Sequence, residues 1–285
     1  MNPAINGAIK AALGQSAGAR LAAPYRNAGI GGRRYGRRTG GAMEFAEYRD
    51  YANGDDLRRL DWNVFARSEK LMVKLFSEEV DPRCDLILDE SASMGAPPEK
   101  AAAAAGLAAL LADAAGNAGF SLNVWHAADA LEKEPAPFVP PSWRHMDFDS
   151  AVGFCAAVDS FPGGFQPRGL RILVSDLLLA EPPESLIGRL ADGASRVVLI
   201  ELSTGFEDNP PLTGEVTLTD AENGERRELT VTAATLGRYR ERLGRHRAAW
   251  GRAAEESGVL LLRLPADVLC VGWDMRELFA AGVLE

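Results

Sequence analysis

Three oxygen-bearing side chains, Asp89, Ser91 and Ser93, follow one another at two-residue intervals directly after an apolar run. The run, Leu86 to Leu88, is continuously hydrophobic, as expected for a parallel strand that is covered on both faces. Open α/β sheets bind ligands at the carboxyl ends of such strands. One carboxylate and two hydroxyls are hard oxygen ligands of the kind that Mg²⁺ prefers. The stretch therefore predicts a weak divalent-metal site, with Mg²⁺ or Mn²⁺ as the ion.

The same stretch has a second interpretation, because Asp and Ser are also favoured at strand-to-helix connections as caps and turn formers. A second buried run, Arg171 to Ser175, ends in another carboxylate, Asp176. Two strands of this kind are expected to bring Asp89 and Asp176 to one edge of a sheet. A binding site is the preferred function for that edge. The alternative is a metal-dependent hydrolase that uses these two carboxylates, although the sequence offers no general base for it.

The elements that must position these residues follow from the hydrophobic pattern. Apolar strand-like runs alternate with helical stretches from residue 81 to 285, which predicts an α/β domain with a doubly wound, mostly parallel sheet. Further signals are a proline-initiated helix at Pro98, a helix from Asp147 through Phe161, a hairpin turn at Asn223-Gly224, and a long helix capped by Thr232.

The chain has 285 residues, of which 47% are hydrophobic, so it can bury a full core in one large domain with an amino-terminal extension. We divide it into a flexible, basic, glycine-rich segment over 1–43, a charged and aromatic region over 44–80, and the α/β domain over 81–285. No apolar run approaches the roughly 20 residues that span a bilayer, and the first residues do not resemble a signal peptide. These features predict a cytoplasmic protein without a membrane span.

Charge is unevenly distributed along the chain. All seven charged residues up to Met43 are basic, whereas the whole chain has a net charge of −9. Such an asymmetry can mark a nucleic-acid arm, but the arm could equally bind an acidic surface of this chain or of a partner. The acidic remainder disfavours a dedicated nucleic-acid binder, because affinity for phosphates depends on the cations presented. We therefore expect protein partners.

Several enzyme classes lack their motifs. The sequence has no Gly-x-x-x-x-Gly-Lys-Ser/Thr for a nucleotide, no His-Glu-x-x-His for zinc and no Gly-x-Ser-x-Gly for a serine nucleophile. The three cysteines, Cys84, Cys155 and Cys270, are widely spaced in apolar settings, which favours core positions over disulfide or metal sites. The sequence therefore predicts a non-enzymatic protein.

The region over 44–80 combines aromatic and charged residues. Dense charge of this kind forms either a solvated face or an internal lattice of ion pairs, whereas exposed Tyr, Trp and Arg are typical of partner-binding anchors. The candidate partner-binding residues are Arg49, Tyr51, Asp55, Arg58, Asp61 and Trp62.

These residues also carry a resemblance. The elements Arg49-x-Tyr51, Gly54-Asp55-x-x-Arg58 and Asp61-Trp62, followed by the Asp-x-Ser-x-Ser stretch, are similar to a domain-of-unknown-function family that is encoded beside MoxR-type AAA+ ATPases. That family resembles von Willebrand factor A domains, whose Rossmann-type fold carries a metal-ion-dependent adhesion site. The resemblance implies a metal-assisted interaction module that works with a MoxR-like ATPase in the assembly or maturation of other proteins.

The resemblance also implies which residues would form the metal site. In von Willebrand factor A domains, a threonine from a second loop and an aspartate from a third complete it. Asp176 matches the aspartate, because it follows a similar apolar strand. The threonine has no match in this chain. Asp149 or Ser150 could substitute for it, or the site could be degenerate and free of metal.

Overall fold

The structure, a computed structural model, describes residues 2–23, 43–52, 54–78, 82–135, 143, 146–161 and 163–285, without the side chains at 43–47, 59 and 74–78. Two compact units divide the chain. The larger unit consists of Met1–Arg26 together with Pro82–Glu285, and the smaller unit is Asn27–Asp81. Across the described ranges, every helix is too short or too polar to cross a bilayer.

After the first eighty residues, most strands are followed by a helix. In order, the helices and strands are α1 (Pro3–Gln15), β1 (Met43–Asp50), a 3₁₀ turn (Leu57–Arg59), α2 (Trp62–Ser68), β2 (Met72–Glu78), β3 (Arg83–Asp89), α3 (Ala92–Gly95), α4 (Pro98–Asn117), β4 (Ser121–Ala127), β5 (Leu131–Lys133), α5 (Phe154–Asp159), β6 (Leu170–Ser175), α6 (Pro183–Ala191), β7 (Arg196–Ser203), α7 (Gly205–Asp208), β8 (Gly214–Thr219), β9 (Arg226–Val231), α8 (Ala233–Glu256), β10 (Leu260–Pro265), α9 (Ala266–Gly272) and α10 (Arg276–Ala280).

The larger unit is organised around a six-stranded sheet with the order β10-β7-β6-β3-β4-β5. Its strands are parallel except β5, which pairs antiparallel with β4. The chain adds β4 and β5 on one side of β3 and then returns to β6 on the other side, so the strand order reverses between β3 and β6. Leu88 lies opposite Val174 across that pair. The predicted doubly wound, mostly parallel sheet is confirmed.

Both faces of this sheet are covered, which explains why its central strands are continuously apolar. Leu86 and Leu88 share a core with residues of α1, α4 and α9 on one face. Ile87 faces the other way and shares a core with residues of α5, α6 and α8. Helix α4 is rich in alanine and is buried along most of its length, so small side chains separate its backbone from the sheet.

The prediction of a flexible segment over 1–43 is wrong for its first part. Helix α1 is capped by the side chain of Asn2, and its residues Ile5, Ile9 and Ala12 are buried in the core that contains α4. These three positions recur at the spacing of one helical face, which gives the helix an apolar stripe to bury. Leu21 then forms a β-bridge with Leu284. The glycine-rich part of the segment, residues 24–42, lies outside the described residues.

One predicted helix is shorter than expected, and one helix was not expected. The helix expected from Asp147 begins only at Phe154, with Gly153 as its N-cap, because Ser150 forms a parallel β-bridge with Ser91. Helix α9 was not predicted. The hairpin β8–β9 and the Thr232 cap of α8 are found as predicted.

The smaller unit contains a two-stranded antiparallel sheet in which β1 pairs with β2. Helix α2 lies between these strands in the sequence, and Leu60 just before it forms a β-bridge with Val73 of β2. The bridge places the start of α2 beside the sheet. The region that sequence analysis singled out for aromatic and charged residues therefore has a fold of its own.

Candidate functional site

Asp89 ends β3 and is fully buried at the carboxyl edge of the sheet. Its Oδ1 accepts a hydrogen bond of 3.0 Å from the backbone N–H of Ser91, and its Oδ2 accepts one of 2.6 Å from the hydroxyl of Ser175. The hydroxyls of Ser91 and Ser93 lie 3.1 Å apart. The three residues of the Asp-x-Ser-x-Ser stretch are thus brought together by local hydrogen bonds.

Asp176 follows β6 and belongs to the same site. Burial raises the pKa of Asp89 to about 7, and the charge of Asp176 raises it too, against the opposing hydrogen bonds from Ser175 and Ser91. Asp176 accepts a hydrogen bond of 3.0 Å from the backbone N–H of Leu178. The expectation that two strand-end carboxylates share one edge is met, because β3 and β6 are parallel neighbours.

A lysine that sequence analysis did not select pairs with one acid of this site, Asp176. Lys100 lies in the first turn of α4, and its side chain is completely buried. Its ammonium lies 2.8 Å from Oδ2 of Asp176 and 2.5 Å from Oε1 of Glu207. Burial lowers the pKa of Lys100, but the carboxylates of Asp176 and Glu207 outweigh that effect, so the pKa is raised overall. Lys100 is therefore a permanent positive charge at this edge.

Glu207 is fixed by a second set of contacts. Its Oε2 accepts hydrogen bonds of 2.9 Å from the backbone N–H and 3.1 Å from the hydroxyl of Thr204. The first of these, together with the 3.3 Å bond that the N–H of Glu207 donates to the hydroxyl of Thr204, forms the capping box of α7. Because α7 follows β7, the ammonium of Lys100 joins the segments that follow two neighbouring strands, β6 and β7.

Asp149 and Ser150, the predicted substitutes for the missing threonine, are placed differently. The backbone of Ser150 is joined to the Asp89 loop, because its carbonyl accepts a hydrogen bond of 2.9 Å from the N–H of Ala92. Its hydroxyl, however, donates to Asp129 at 2.9 Å. The side chain of Asp149 is exposed. Ser150 therefore supports the loop through its backbone, whereas its hydroxyl bonds to Asp129 and the side chain of Asp149 is exposed.

The donor set does not fit a resident divalent ion, since an ammonium already neutralises Asp176. Among the side chains described, no group of three or more His, Cys, Asp or Glu residues is arranged to hold a metal. The hydroxyl of Ser150 is committed to Asp129, and those of Ser91 and Ser93 contact one another. Binding of Mg²⁺ or Mn²⁺ stays a prediction.

A second buried ionisable cluster lies beside this loop. His126 of β4 is fully buried, with Nδ1 bonded to the carboxylate of Glu90 and Nε2 placed 3.1 Å from Oε2 of Glu134. Glu90 directly follows Asp89 in the chain. The three histidines look scattered in the sequence, so nothing there marks His126 as the centre of an acidic pair.

In the smaller unit, Asp61 organises the candidate partner-binding residues. It is buried, and its Oδ1 caps α2 by accepting hydrogen bonds of 2.9 Å and 3.3 Å from the N–H groups of Asn63 and Val64. Its Oδ2 accepts a hydrogen bond of 2.7 Å from the hydroxyl of Tyr48. Trp62, the first residue of α2, is 61% exposed, and its ring packs edge-on against Phe65.

Arg49 and Asp55 form an internal ion pair in this unit. Nη2 of Arg49 lies 2.7 Å and 2.9 Å from the two carboxylate oxygens of Asp55. The backbone N–H of Ala52 and the guanidinium of Arg49 hold the pKa of Asp55 below its usual range. Arg58 is exposed and Tyr51 is half-buried. Arg49, Asp55 and Asp61 therefore bond within the unit, whereas Arg58 and Trp62 are exposed, and partner binding by these residues stays a prediction.

Residues 47–249 match a family model described as "Protein of unknown function DUF58". The chain belongs to the DUF58 family. The uncharacterized proteins Rv1480 of Mycobacterium tuberculosis and Mb1516 of Mycobacterium bovis are each 30% identical to it over an alignment of 250 residues. The alignment covers 80% of this chain and 76% of theirs. The DUF58 match begins in the smaller unit and includes Asp89 and Asp176, so it spans both candidate sites.

Two solved structures give weaker similarities. The conserved hypothetical protein BatB from Bacteroides thetaiotaomicron has a TM-score of 0.35 and 11% identity, over 67% of this chain and 97% of that chain. An aerotolerance-related membrane protein from Bacteroides fragilis has a TM-score of 0.31 and 13% identity, over 67% of this chain and 95% of that chain. TM-scores of this size do not establish a common fold.

Proposed function

We propose that this DUF58 protein is a non-enzymatic interaction module that works with a MoxR-like AAA+ ATPase in the assembly or maturation of other proteins. The observation that carries the interaction function is Trp62, which is 61% exposed on a structured helix. Tryptophan is enriched among the residues that dominate binding energy at protein interfaces. An exposed tryptophan next to Phe65 supports a docking surface in the smaller unit.

The supports of Trp62 strengthen this proposal. Asp61 fixes the first turn of α2 through its cap and is itself held by Tyr48. The loop before it is held by the ion pair between Arg49 and Asp55. A side chain presented on a fixed backbone loses less conformational entropy on binding than one on a mobile loop. Trp62 is therefore pre-positioned, and Arg49, Asp55 and Asp61 act as its supports.

The choice of an AAA+ ATPase as partner rests on the resemblance to a family encoded beside MoxR-type ATPases. The sequence supports a separate ATPase partner that hydrolyses the nucleotide, because this chain has no P-loop motif. The likeness to von Willebrand factor A domains is supported by the position of Asp89, which lies where the strand order reverses.

A metal-dependent hydrolase is the less well supported alternative. Asp89 is fully buried and bonded to Ser175, and Asp176 is 4% exposed and paired with Lys100. Carboxylates held in this way are not presented to a substrate as bases. The arrangement resembles a structural ion cluster more than an acid–base pair.

The test is a binding titration between the purified protein and the MoxR-like ATPase of the same organism. Truncation of a central tryptophan typically costs at least about 2 kcal/mol of binding energy, so Trp62→Ala should weaken the complex by roughly 30-fold. Phe206→Ala is the matched control, because Phe206 is an aromatic residue of similar exposure, 51%, in the larger unit. It should leave the affinity unchanged.

The outcomes separate the parts of the proposal. If the wild-type protein forms no complex with that ATPase, the choice of partner is wrong. If a complex forms and Trp62→Ala binds as tightly as wild type, while both variants keep the wild-type circular dichroism spectrum, the docking surface lies elsewhere.

A further inference from the structure

We infer that Lys100 takes the place of a divalent metal, so that its ammonium is the resident cation of the cluster formed by Asp176 and Glu207 next to Asp89. The inference goes beyond the proposed function, which does not depend on how this site is neutralised. It follows from three features of the site: the contacts of the ammonium, the burial of the carboxylates, and the way the lysine is held.

The contacts show an ion bound on two sides. The ammonium lies 2.8 Å from Asp176 and 2.5 Å from Glu207, which come from segments after different strands. A bound metal would connect separate loops at the end of a sheet in the same way. Here the connection is made by a side chain of α4.

Burial makes the positive charge necessary. The side chain of Lys100 is inaccessible to solvent, that of Asp176 is 3% exposed and that of Glu207 is 19% exposed. Buried carboxylates repel one another and are costly to desolvate unless a cation is close. Lys100 supplies that cation from within the chain. A divalent ion added next to it would be repelled by the ammonium.

The lysine is also held in position by its helix. Pro98 begins α4, and the N–H of Lys100 bonds to the carbonyl of Pro97 at 2.9 Å. The buried alanines from Ala101 to Ala105 follow directly. Because the side chain is tethered to a buried helix, the ammonium cannot exchange with ions in solution. The site is therefore independent of Mg²⁺ and Mn²⁺ at any physiological concentration.

The experiment measures thermal unfolding with and without millimolar MgCl₂ or MnCl₂, using the isolated wild-type chain and the variant Lys100→Ala. The melting temperature of wild type should not respond to either ion. Lys100→Ala should melt at a lower temperature and regain roughly 2 to 4 °C when an ion is present at ten times its Kd, since the ion now binds the uncompensated carboxylates of the folded state. The double variant Lys100→Ala/Asp176→Asn should lose that response.

Two results of the melting experiment overturn the inference. One is a wild-type protein whose melting temperature rises with Mg²⁺ or Mn²⁺ as much as that of the variant. The other is a folded Lys100→Ala protein that responds to neither ion, because the carboxylates would then not form a latent cation site. Neither result involves the ATPase, so failure here is distinct from failure of the proposed function.

A second variant covers the case in which Lys100→Ala does not fold. The triple substitution Lys100→Met/Asp176→Asn/Glu207→Gln removes the cation and both of its carboxylate partners, and it should restore folding if Lys100 acts as a counter-ion. Failure of this variant to fold overturns the inference. Calorimetric titration of wild type with Mn²⁺ is a parallel test that needs no variant, and saturable binding at the site overturns the inference as well.

Discussion

The ammonium group of Lys100 lies 2.8 Å from a carboxylate oxygen of Asp176, and the two side chains are 0% and 3% exposed. Asp89, the other acid at this edge, instead accepts hydrogen bonds from the hydroxyl of Ser175 and the N–H of Ser91. One acid therefore has a cation beside it and the other has neutral donors. This difference allows their contributions to stability to be measured separately.

The first prediction concerns pH. Burial raises the pKa of Asp89 to about 7, far above its ordinary value of 3.8, so the folded state binds this proton more tightly than the unfolded state. The stability that the group contributes is complete below the unfolded pKa and is lost as the pH rises toward 7, at up to roughly 1.4 kcal/mol per pH unit. Urea unfolding should show that Asp89→Asn gains stability relative to wild type over this window, with no further change above it.

The control for the pH prediction is Asp149→Asn, which alters an exposed acid next to Ser150, whose backbone bonds to the Asp89 loop. Its stability should follow that of wild type at each pH. A constant difference between Asp89→Asn and wild type from acid to neutral pH would contradict the prediction.

The second prediction concerns the support of Trp62. Asp61→Ala removes the cap of α2 and the acceptor of the Tyr48 hydroxyl, so it should cost about 1 to 2 kcal/mol of stability and weaken binding to the ATPase. Tyr48→Phe is the milder control, because it keeps the cap and removes one hydrogen bond. Titrations of the ATPase and urea unfolding measure the two effects. A fully stable Asp61→Ala variant that binds like wild type would refute the supporting role.

The third prediction compares two glycines of α4. A Cβ atom at Gly106 would lie 2.0 Å from the ring carbon Cη2 of Trp273, whereas one at Gly116 would have no atom within 4 Å. Gly106→Ala should therefore destabilise the larger unit by about 1 to 3 kcal/mol through overpacking. Gly116→Ala should be neutral, or stabilising by up to about 1 kcal/mol, because alanine favours the helix. Equal effects of the two substitutions on urea unfolding would show that α4 does not pack against Trp273 as described.

The fourth prediction tests the amino-terminal helix. Ile9 is fully buried, so Ile9→Ala should cost about 2 to 5 kcal/mol of unfolding free energy. Lys10→Ala, at the exposed neighbouring position, should change stability by less than about 0.5 kcal/mol. If the segment were flexible in solution, neither substitution would change the unfolding free energy measured with urea.

The central strands could be predicted because each is marked by the residues of its own segment. The run before Asp89 is apolar at consecutive positions, and the run before Asp176 is similar, so each could be assigned to a covered strand from its own residues. The two strands were expected to be neighbours because doubly wound sheets usually place such strands side by side where the strand order reverses.

The role of Lys100 could not be read from the sequence, since its partners lie 76 and 107 residues further along the chain. A lysine on a helix is usually solvated, and no pattern distinguishes one that is buried against distant carboxylates. Glu207 did carry a signal, the Thr204-x-x-Glu207 spacing of a capping box, but that signal reports a helix start and not an ion pair. Helix α9 was missed because it follows β10 with Pro265 as N-cap and without a polar capping side chain.

The β-bridge between Leu21 and Leu284 has a consequence for how the chain folds as it is synthesised. Arg20 and Glu285 exchange two backbone hydrogen bonds of 3.0 Å and 2.8 Å beside that bridge, so the larger unit joins some of the earliest residues to some of the latest. On the ribosome, the apolar stripe of α1 emerges long before the residues that cover it. Nascent chains that expose such surface are prone to aggregate, and chaperones bind them. The apolar stripe of α1 therefore lacks its packing partners until the residues of α4 that share its core have been translated.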